Sequence, residues 1–135
     1  MPSDQRRIVE AALAAGARGE AEAAMSMFSP AVVAHYARSL PYGGDHDGLP
    51  AYLRALGSLN EVFRLDVAGS EVSATDADRV ILLLDIAYTA AATGRQARQR
   101  SIEILTFTGD LVTDVAVYNE DAAALLALLQ PPTGA

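Results

Sequence analysis

The chain has 135 residues, 51% of them apolar, and a formal net charge of −7, which predicts a single globular domain over residues 1–135 with a substantial core. It lacks a basic run, a signal peptide and a segment near the ~20 apolar residues of a membrane span, so we expect a cytoplasmic protein that binds neither nucleic acid nor membranes. It has no cysteine and no lysine, since all ten of its basic Lys or Arg residues are arginine. The lack of cysteine excludes disulfides and thiolate nucleophiles, and the lack of lysine excludes lysine Schiff bases.

The first half of the chain is mostly helical by its apolar spacing. Breaks at Gly16, Pro30 and the glycine-rich segment before Leu49 separate the predicted elements. These are helices over residues 4–15 and 19–28, a strand over 31–36, a loop over 38–48 and a helix over 49–59.

The second half has the two-residue alternation of strands. Strands are predicted over residues 62–70, 79–92, 98–107 and 111–118, with a final helix over 121–129. Gly109-Asp110 has the composition of a hairpin turn between the last two strands. Helices followed by strands indicate an α+β fold, with helices packed on one face of a curved antiparallel sheet.

The strand over residues 79–92 is apolar on both faces. Leu84, Ile86 and Tyr88 are predicted to face the helices, and Ile81, Leu83 and Ala87 to face outward. A second subunit is the simplest cover for an outward apolar face, so we expect a homodimer through this surface. Asp85 on the same face should then pair with an arginine or lie at the rim.

Two acids interrupt the apolar strands of the last hairpin. Glu103 lies within Ser101–Phe107, and Asp114 lies within Leu111–Tyr118. A buried carboxylate has a raised pKa or pairs with a cation such as Arg98 or Arg100. If the two strands pair so that both acids share one face, the pair could carry out proton transfer.

The order of elements resembles the SnoaL-like, ketosteroid-isomerase-like group of the nuclear transport factor 2-like superfamily. The segments that carry the resemblance are Ala14-Ala15-Gly16, residues 27–35 (MFSPAVVAH), residues 41–44 (PYGG) with Gly48, residues 106–112 (TFTGDLV) and Val117-Tyr118-Asn119. The resemblance covers nearly the whole chain and implies a cone-shaped α+β fold. That fold hosts isomerases, cyclases, epoxide hydrolases, dehydratases and binding proteins.

The resemblance also assigns positions. The general base of ketosteroid isomerases corresponds to Tyr36, and their helix-one tyrosine to Val9. Their protonated carboxylic acid corresponds to Glu103, so one catalytic position of three keeps its chemistry and steroid isomerisation is not expected. The acid/base aspartate of polyketide cyclases falls near Ala116, with Asp114 close by.

The cone is expected to be lined largely by aromatic and acidic side chains. The catalytic candidates are Glu103, Asp114 and Tyr36; the substrate-binding candidates are Tyr88, Tyr118, Tyr42, Tyr52, Ile86 and His46, with Tyr42 and Tyr52 near the mouth. His35 directly precedes Tyr36 in the strand, so its side chain should lie on the opposite face and point away from the cavity. Asp45-His46-Asp47 resembles a metal motif, but three consecutive residues rarely converge on one ion, so neither a metal nor another cofactor is expected.

These observations favour a cofactor-independent cyclase or isomerase of secondary metabolism. Its ligand would be an apolar, oxygenated, polyketide-like intermediate, with Glu103 and Asp114 sharing the proton transfer and tyrosines stabilising enolate or alkoxide character. Two alternatives remain open at this point. One is an epoxide hydrolase or epoxide-opening cyclase, and the other is a non-catalytic small-molecule binding protein.

Overall fold

A computed structural model describes residues 2–75 and 77–131, with side chains described from Asp4 onward. Within these ranges the chain forms four helices and six strands. The helices are α1 (Pro2–Ala17), α2 (Ala21–Met25), α3 (Leu49–Val62) and α4 (Ala122–Leu128). The strands are β1 (Phe28–Tyr36), β2 (Gly44–Asp47), β3 (Phe63–Ala74), β4 (Arg79–Ala90), β5 (Gln96–Thr108) and β6 (Leu111–Asn119). The α+β prediction is confirmed.

The six strands form one curved, unclosed sheet in the order β2-β1-β6-β5-β4-β3. Neighbouring strands are antiparallel except β1 and β6, which run parallel, so the expectation of a purely antiparallel sheet is wrong at this pair. The ladder is irregular at three places: within β1–β6, β3–β4 and β5–β6. Such bulges bend strands and increase their twist, which helps the sheet to curl around the helices.

Two elements differ from the sequence-based prediction. Phe28 begins β1 instead of ending a helix, because it pairs with Val112 of β6 while α2 stops at Met25. β2 lies in the segment predicted as a loop, with His46 opposite Ala34 of β1. Its Gly-Asp-His-Asp sequence has poor strand propensity, so backbone pairing with β1 overrides the local preference.

Helix α3 crosses the inner face of the sheet near β1. Gly48 precedes the helix at φ 95°, a conformation that favours glycine, and Pro50 occupies its first turn. The helix buries Tyr52, Ala55 and Leu59, whose spacing places them on one helical face.

The alternation in β4 is as predicted. Leu84, Ile86 and Tyr88 are buried on the inner face, whereas Ile81, Leu83 and Ala87 are half-buried on the outer face. Asp85 pairs with Arg98 on that outer face, with carboxylate–guanidinium distances of 2.7 and 3.0 Å, which confirms the expected arginine partner. Among the described residues, no helix is long and apolar enough to span a membrane.

Candidate functional site

The inner face of the sheet carries a cavity in two adjoining parts, which share Glu103 as a lining residue. The tyrosine compartment, about 150 Å³, is lined by Tyr36, Tyr42, Ile86 and Tyr88 among others. The helix-one groove, about 830 Å³, runs between α1, α2, β3 and β4. The two parts share four lining residues, which are Leu65, Val67, Leu84 and Glu103. The expected pocket between sheet and helices is therefore present.

Glu103 is held in the cavity wall by its neighbours in the sheet. It lies opposite Leu82 of β4 and Val117 of β6, and residues directly opposite share a face. Its side chain keeps some accessible surface because it borders the cavity, yet protein surrounds it closely. Burial in these apolar surroundings raises the pKa of Glu103 to about 7.

The arginines considered as partners of Glu103 lie elsewhere. Arg98 pairs with Asp85, and Arg100 pairs with Glu120 at 3.2 Å, both on exposed surface. Within the described part of the chain, Glu103 forms no salt bridge. An acid with a pKa near 7 and no cationic partner is well suited to exchange protons with a ligand at neutral pH.

Three buried tyrosines lie near enough to Glu103 to interact electrostatically with its carboxylate. Burial raises the pKa of Tyr36, Tyr52 and Tyr88, and the Glu103 carboxylate raises the pKa of each further. These phenols therefore stay protonated and can act as hydrogen-bond donors. Tyr52 is 4% exposed, so its predicted place near the mouth is wrong: α3 packs it against Phe28, with ring centroids 5.1 Å apart.

Tyr42 and His46 both pack against the ring of Tyr36. Tyr42 is 3% exposed, so its predicted place near the mouth is also wrong. The Tyr42 ring meets Tyr36 edge to face at 5.5 Å, and its buried hydroxyl has a raised pKa. His46 donates from Nε2 to the Tyr42 carbonyl at 2.9 Å and lies 6.1 Å from the Tyr36 ring. His46 thus supports two tyrosines but lines neither part of the cavity, so its predicted contact with substrate is not supported by its position.

Asp114 and Tyr118 lie on the outer face, so their predicted placement in the cavity is wrong. Near the turn, Phe107 pairs with Val112; one step later, Thr106 pairs with Asp114. Thr113 is therefore an extra residue in β6. A one-residue bulge moves every following side chain to the other face, and without it Asp114 would share the face of Glu103.

Asp114 instead belongs to an ion cluster on the outer face, where His35 was expected to point. His35 Nδ1 lies 2.8 Å from Asp45, and its Nε2 lies 2.8 Å from Asp114. Only an imidazolium can donate from both nitrogens. Both contacts raise the pKa of His35, and the contact with Asp45 makes the larger contribution. The same contact lowers the pKa of Asp45.

The His35 cluster should stabilise the protein in a limited pH range. Because the folded pKa of His35 is raised above its ordinary value of 6.5, the stabilisation is fully present below that value and is lost as pH rises through the raised pKa. Replacing His35 by phenylalanine should cost about 1 kcal/mol at pH 6, since solvent screens these partly exposed groups. The cost should shrink by pH 9, which urea unfolding at both pH values would measure.

The structure adds two polar residues that the sequence reasoning missed. Asn119 donates from Nδ2 to the Tyr88 hydroxyl at 3.3 Å, and buried Ser101 also interacts with that hydroxyl. Both line the tyrosine compartment. Ser101 lies two residues from Glu103 in β5, and Asn119 lies two residues from Val117 in β6, so each pair shares the inner face of the sheet. Assigning the inner face of both strands correctly identifies both residues.

A model of the SnoaL-like domain family matches residues 9–115. The chain belongs to the SnoaL-like family. No curated protein matches this SnoaL-like chain in sequence.

Solved structures show the same nuclear transport factor 2-like (NTF2-like) fold at low sequence identity. An NTF2-like protein from Burkholderia xenovorans is 20% identical, with 95% of this chain and 97% of that chain covered and a TM-score of 0.82. TerC, co-crystallised with polyporic acid, is 18% identical, with 95% and 99% covered and a TM-score of 0.82. A candidate polyketide cyclase from Xanthomonas campestris is 18% identical, with 95% and 98% covered and a TM-score of 0.78. These similarities confirm the fold class.

Proposed function

We propose that this SnoaL-like protein is a cofactor-independent cyclase or isomerase that acts on an apolar, oxygenated, polyketide-like ligand. The observation that carries the proposal is Glu103, a cavity carboxyl with a pKa of about 7 beside protonated tyrosines. Family membership and the candidate polyketide cyclases among the fold neighbours support the same class of reaction.

The chemistry needs a single carboxyl group. The Glu103 carboxylate removes a proton from the carbon next to a ligand carbonyl, and the C–H electrons form an enolate. The enolate oxygen accepts hydrogen bonds from Tyr88 or Tyr36. In a β,γ-unsaturated ketone, Glu103 then returns the proton to the γ carbon and the carbon–carbon double bond shifts into conjugation with the carbonyl, which completes an isomerisation. In a cyclisation the enolate carbon attacks a second carbonyl, whose oxygen takes the proton.

Asp114 has no part in this scheme because it binds His35 on the outer face. Its position also weakens the epoxide hydrolase alternative, in which an arginine would lie between two acids. Arg98 and Arg100 both form ion pairs on the outer face. A non-catalytic binding protein would use the same cavity, and a proton-exchange experiment separates it from an enzyme.

The test is proton exchange on a ring-sized ketone. Acetophenone in D₂O should exchange its methyl protons faster with the wild-type protein than in buffer, with a rate that rises with pH around 7, as followed by NMR. Glu103→Gln should lower the catalysed rate by about 100-fold. Glu61→Gln, the same change on the exposed end of α3, and Asp114→Asn should leave it unchanged.

Ligand binding by both the wild-type protein and Glu103→Gln, without any catalysed exchange, would indicate a binding protein. Equal exchange rates in the wild-type protein and Glu103→Gln would contradict the assignment of Glu103.

We also propose a homodimer through the outer face of the sheet. A row of apolar side chains crosses three strands there, because Leu83 lies opposite Ile102 and Ile102 lies opposite Tyr118. Ile102 is 39% exposed and Tyr118 is 59% exposed. The ion pairs of Arg98 and Arg100 lie beside this row, both on one side of it, so the face carries an apolar centre next to groups of both charges. A two-fold pairing of identical copies can match such a face with itself.

A further inference from the structure

The two parts of the cavity differ in shape and in wall chemistry, and this difference restricts the ligand. We infer that the ligand is an uncharged amphiphile, with an oxygenated ring in the tyrosine compartment and an apolar extension in the helix-one groove. The inference rests on the proposed function, because it names the ligand class of the same site.

The tyrosine compartment fits one ring. Its volume is about 150 Å³, a size at which a protein cavity accepts a benzene-sized molecule. Aromatic and aliphatic side chains form most of its wall, and Ser101, Glu103 and Asn119 add polar groups. The Tyr88 hydroxyl accepts a hydrogen bond from Asn119, which leaves its own hydrogen available to a ligand oxygen next to Glu103.

The helix-one groove is much larger because small residues line its helical side. Ala12, Gly16 and Ala24 face the groove. A Cβ built at Gly16 would meet only the Ala24 side chain, at 3.9 Å, so there is room for ligand atoms. Small residues alone do not make a site, but this groove ends at the Glu103 carboxyl, which has protein packed around it and forms no ion pair within the described residues. The groove therefore adjoins the ring site at Glu103.

The charges along the cavity favour an uncharged ligand. The ionisable side chains that line the two parts, besides the tyrosines, are Glu103 and Asp66. The described lining residues include no arginine or histidine that could neutralise an anion. A carboxylate placed beside Glu103 would be repelled and desolvated, whereas a ketone, phenol or other neutral oxygen would not.

A series of 4-alkylphenols at pH 6, measured by calorimetry or ligand-observed NMR, tests the inference. Lengthening the chain from methyl to hexyl should lower Kd by about fourfold per methylene, as expected for burial of apolar surface. At pH 8, 4-hexylbenzoate should bind at least tenfold more weakly than 4-hexylphenol.

Matched glycine variants locate the extension. Gly16→Leu should raise the Kd of 4-hexylphenol at least tenfold and leave that of 4-methylphenol unchanged. Gly57→Leu, in α3 with open space around it and away from the cavity, should change neither. Melting curves of both variants verify that they fold.

Two outcomes would overturn the inference in different ways. If 4-methylphenol binds and chain length adds no affinity, or if Gly16→Leu binds hexylphenol as the wild-type protein does, the two-part ligand is wrong and the proposed function stands. If no phenol binds and the ketone exchange is also absent, both fail together.

Discussion

Replacing Glu103 by glutamine should stabilise the protein at pH 8 by about 3 kcal/mol and change its stability little at pH 4. The folded pKa of Glu103 is about 7, and its unfolded pKa is about 4.3. The folded state therefore favours the protonated acid. As pH rises from about 4 to about 7, the unfolded chain ionises first, and the wild-type protein loses about 1.4 kcal/mol of unfolding free energy for each step of one in pH. Glutamine resembles the protonated acid and does not ionise, so it avoids this loss.

Urea unfolding of wild type and Glu103→Gln at pH 4, 6 and 8 measures the effect. Glu61→Gln is the control, because this exposed acid should show no comparable gain. A Glu103→Gln variant that is less stable than the wild-type protein at pH 8 would indicate that Glu103 is ionised and held by a favourable contact. That result would remove the basis for its role as a proton carrier.

Replacing Ile102 by arginine should dissociate the proposed dimer. Ile102 is at the centre of the apolar row on the outer face, between Leu83 and Tyr118. A charge there would be buried between two copies without a partner. Loss of a hot-spot residue at the centre of an interface costs about 2 kcal/mol or more, so dimerisation should weaken by about 30-fold or more. Light scattering at micromolar concentration should give twice the 14.1 kDa chain mass for the wild-type protein and the monomer mass for Ile102→Arg.

Leu53→Arg provides the matched control for the dimer. Leu53 is also an exposed apolar residue, at 46%, but it lies on α3 at the other side of the sheet. This variant should remain a dimer. A wild-type monomer at micromolar concentration, or a dimer that survives Ile102→Arg, would contradict the proposed interface.

The parts of the fold that sequence reasoning predicted are those where local pattern and tertiary packing agree. The alternation of β4 correctly separated Leu84, Ile86 and Tyr88 from Ile81, Leu83 and Ala87, and the position of Glu103 in an apolar strand correctly indicated a buried acid. β2 could not be predicted because its Gly-Asp-His-Asp sequence becomes a strand only through pairing with β1.

Only part of the candidate site could be predicted from the sequence. The face on which Asp114 and Tyr118 lie depends on the single extra residue Thr113 in β6. The sequence marks that bulge only weakly, by the two polar residues Thr113-Asp114 between the apolar residues Val112 and Val115. The same error in β6 hid Asn119 as a neighbour of Tyr88, whereas Ser101 shares the correctly predicted face of Glu103 in β5.

The central claim is that Glu103 has a raised pKa in the folded protein. NMR titration of its ¹³C-labelled carboxyl carbon tests this claim most directly. Comparison with Glu103→Gln identifies the resonance. We expect a midpoint near pH 7 that shifts when 4-hexylphenol binds beside the carboxyl group. A midpoint near the ordinary glutamate value of about 4.3, unaffected by the ligand, would contradict the claim.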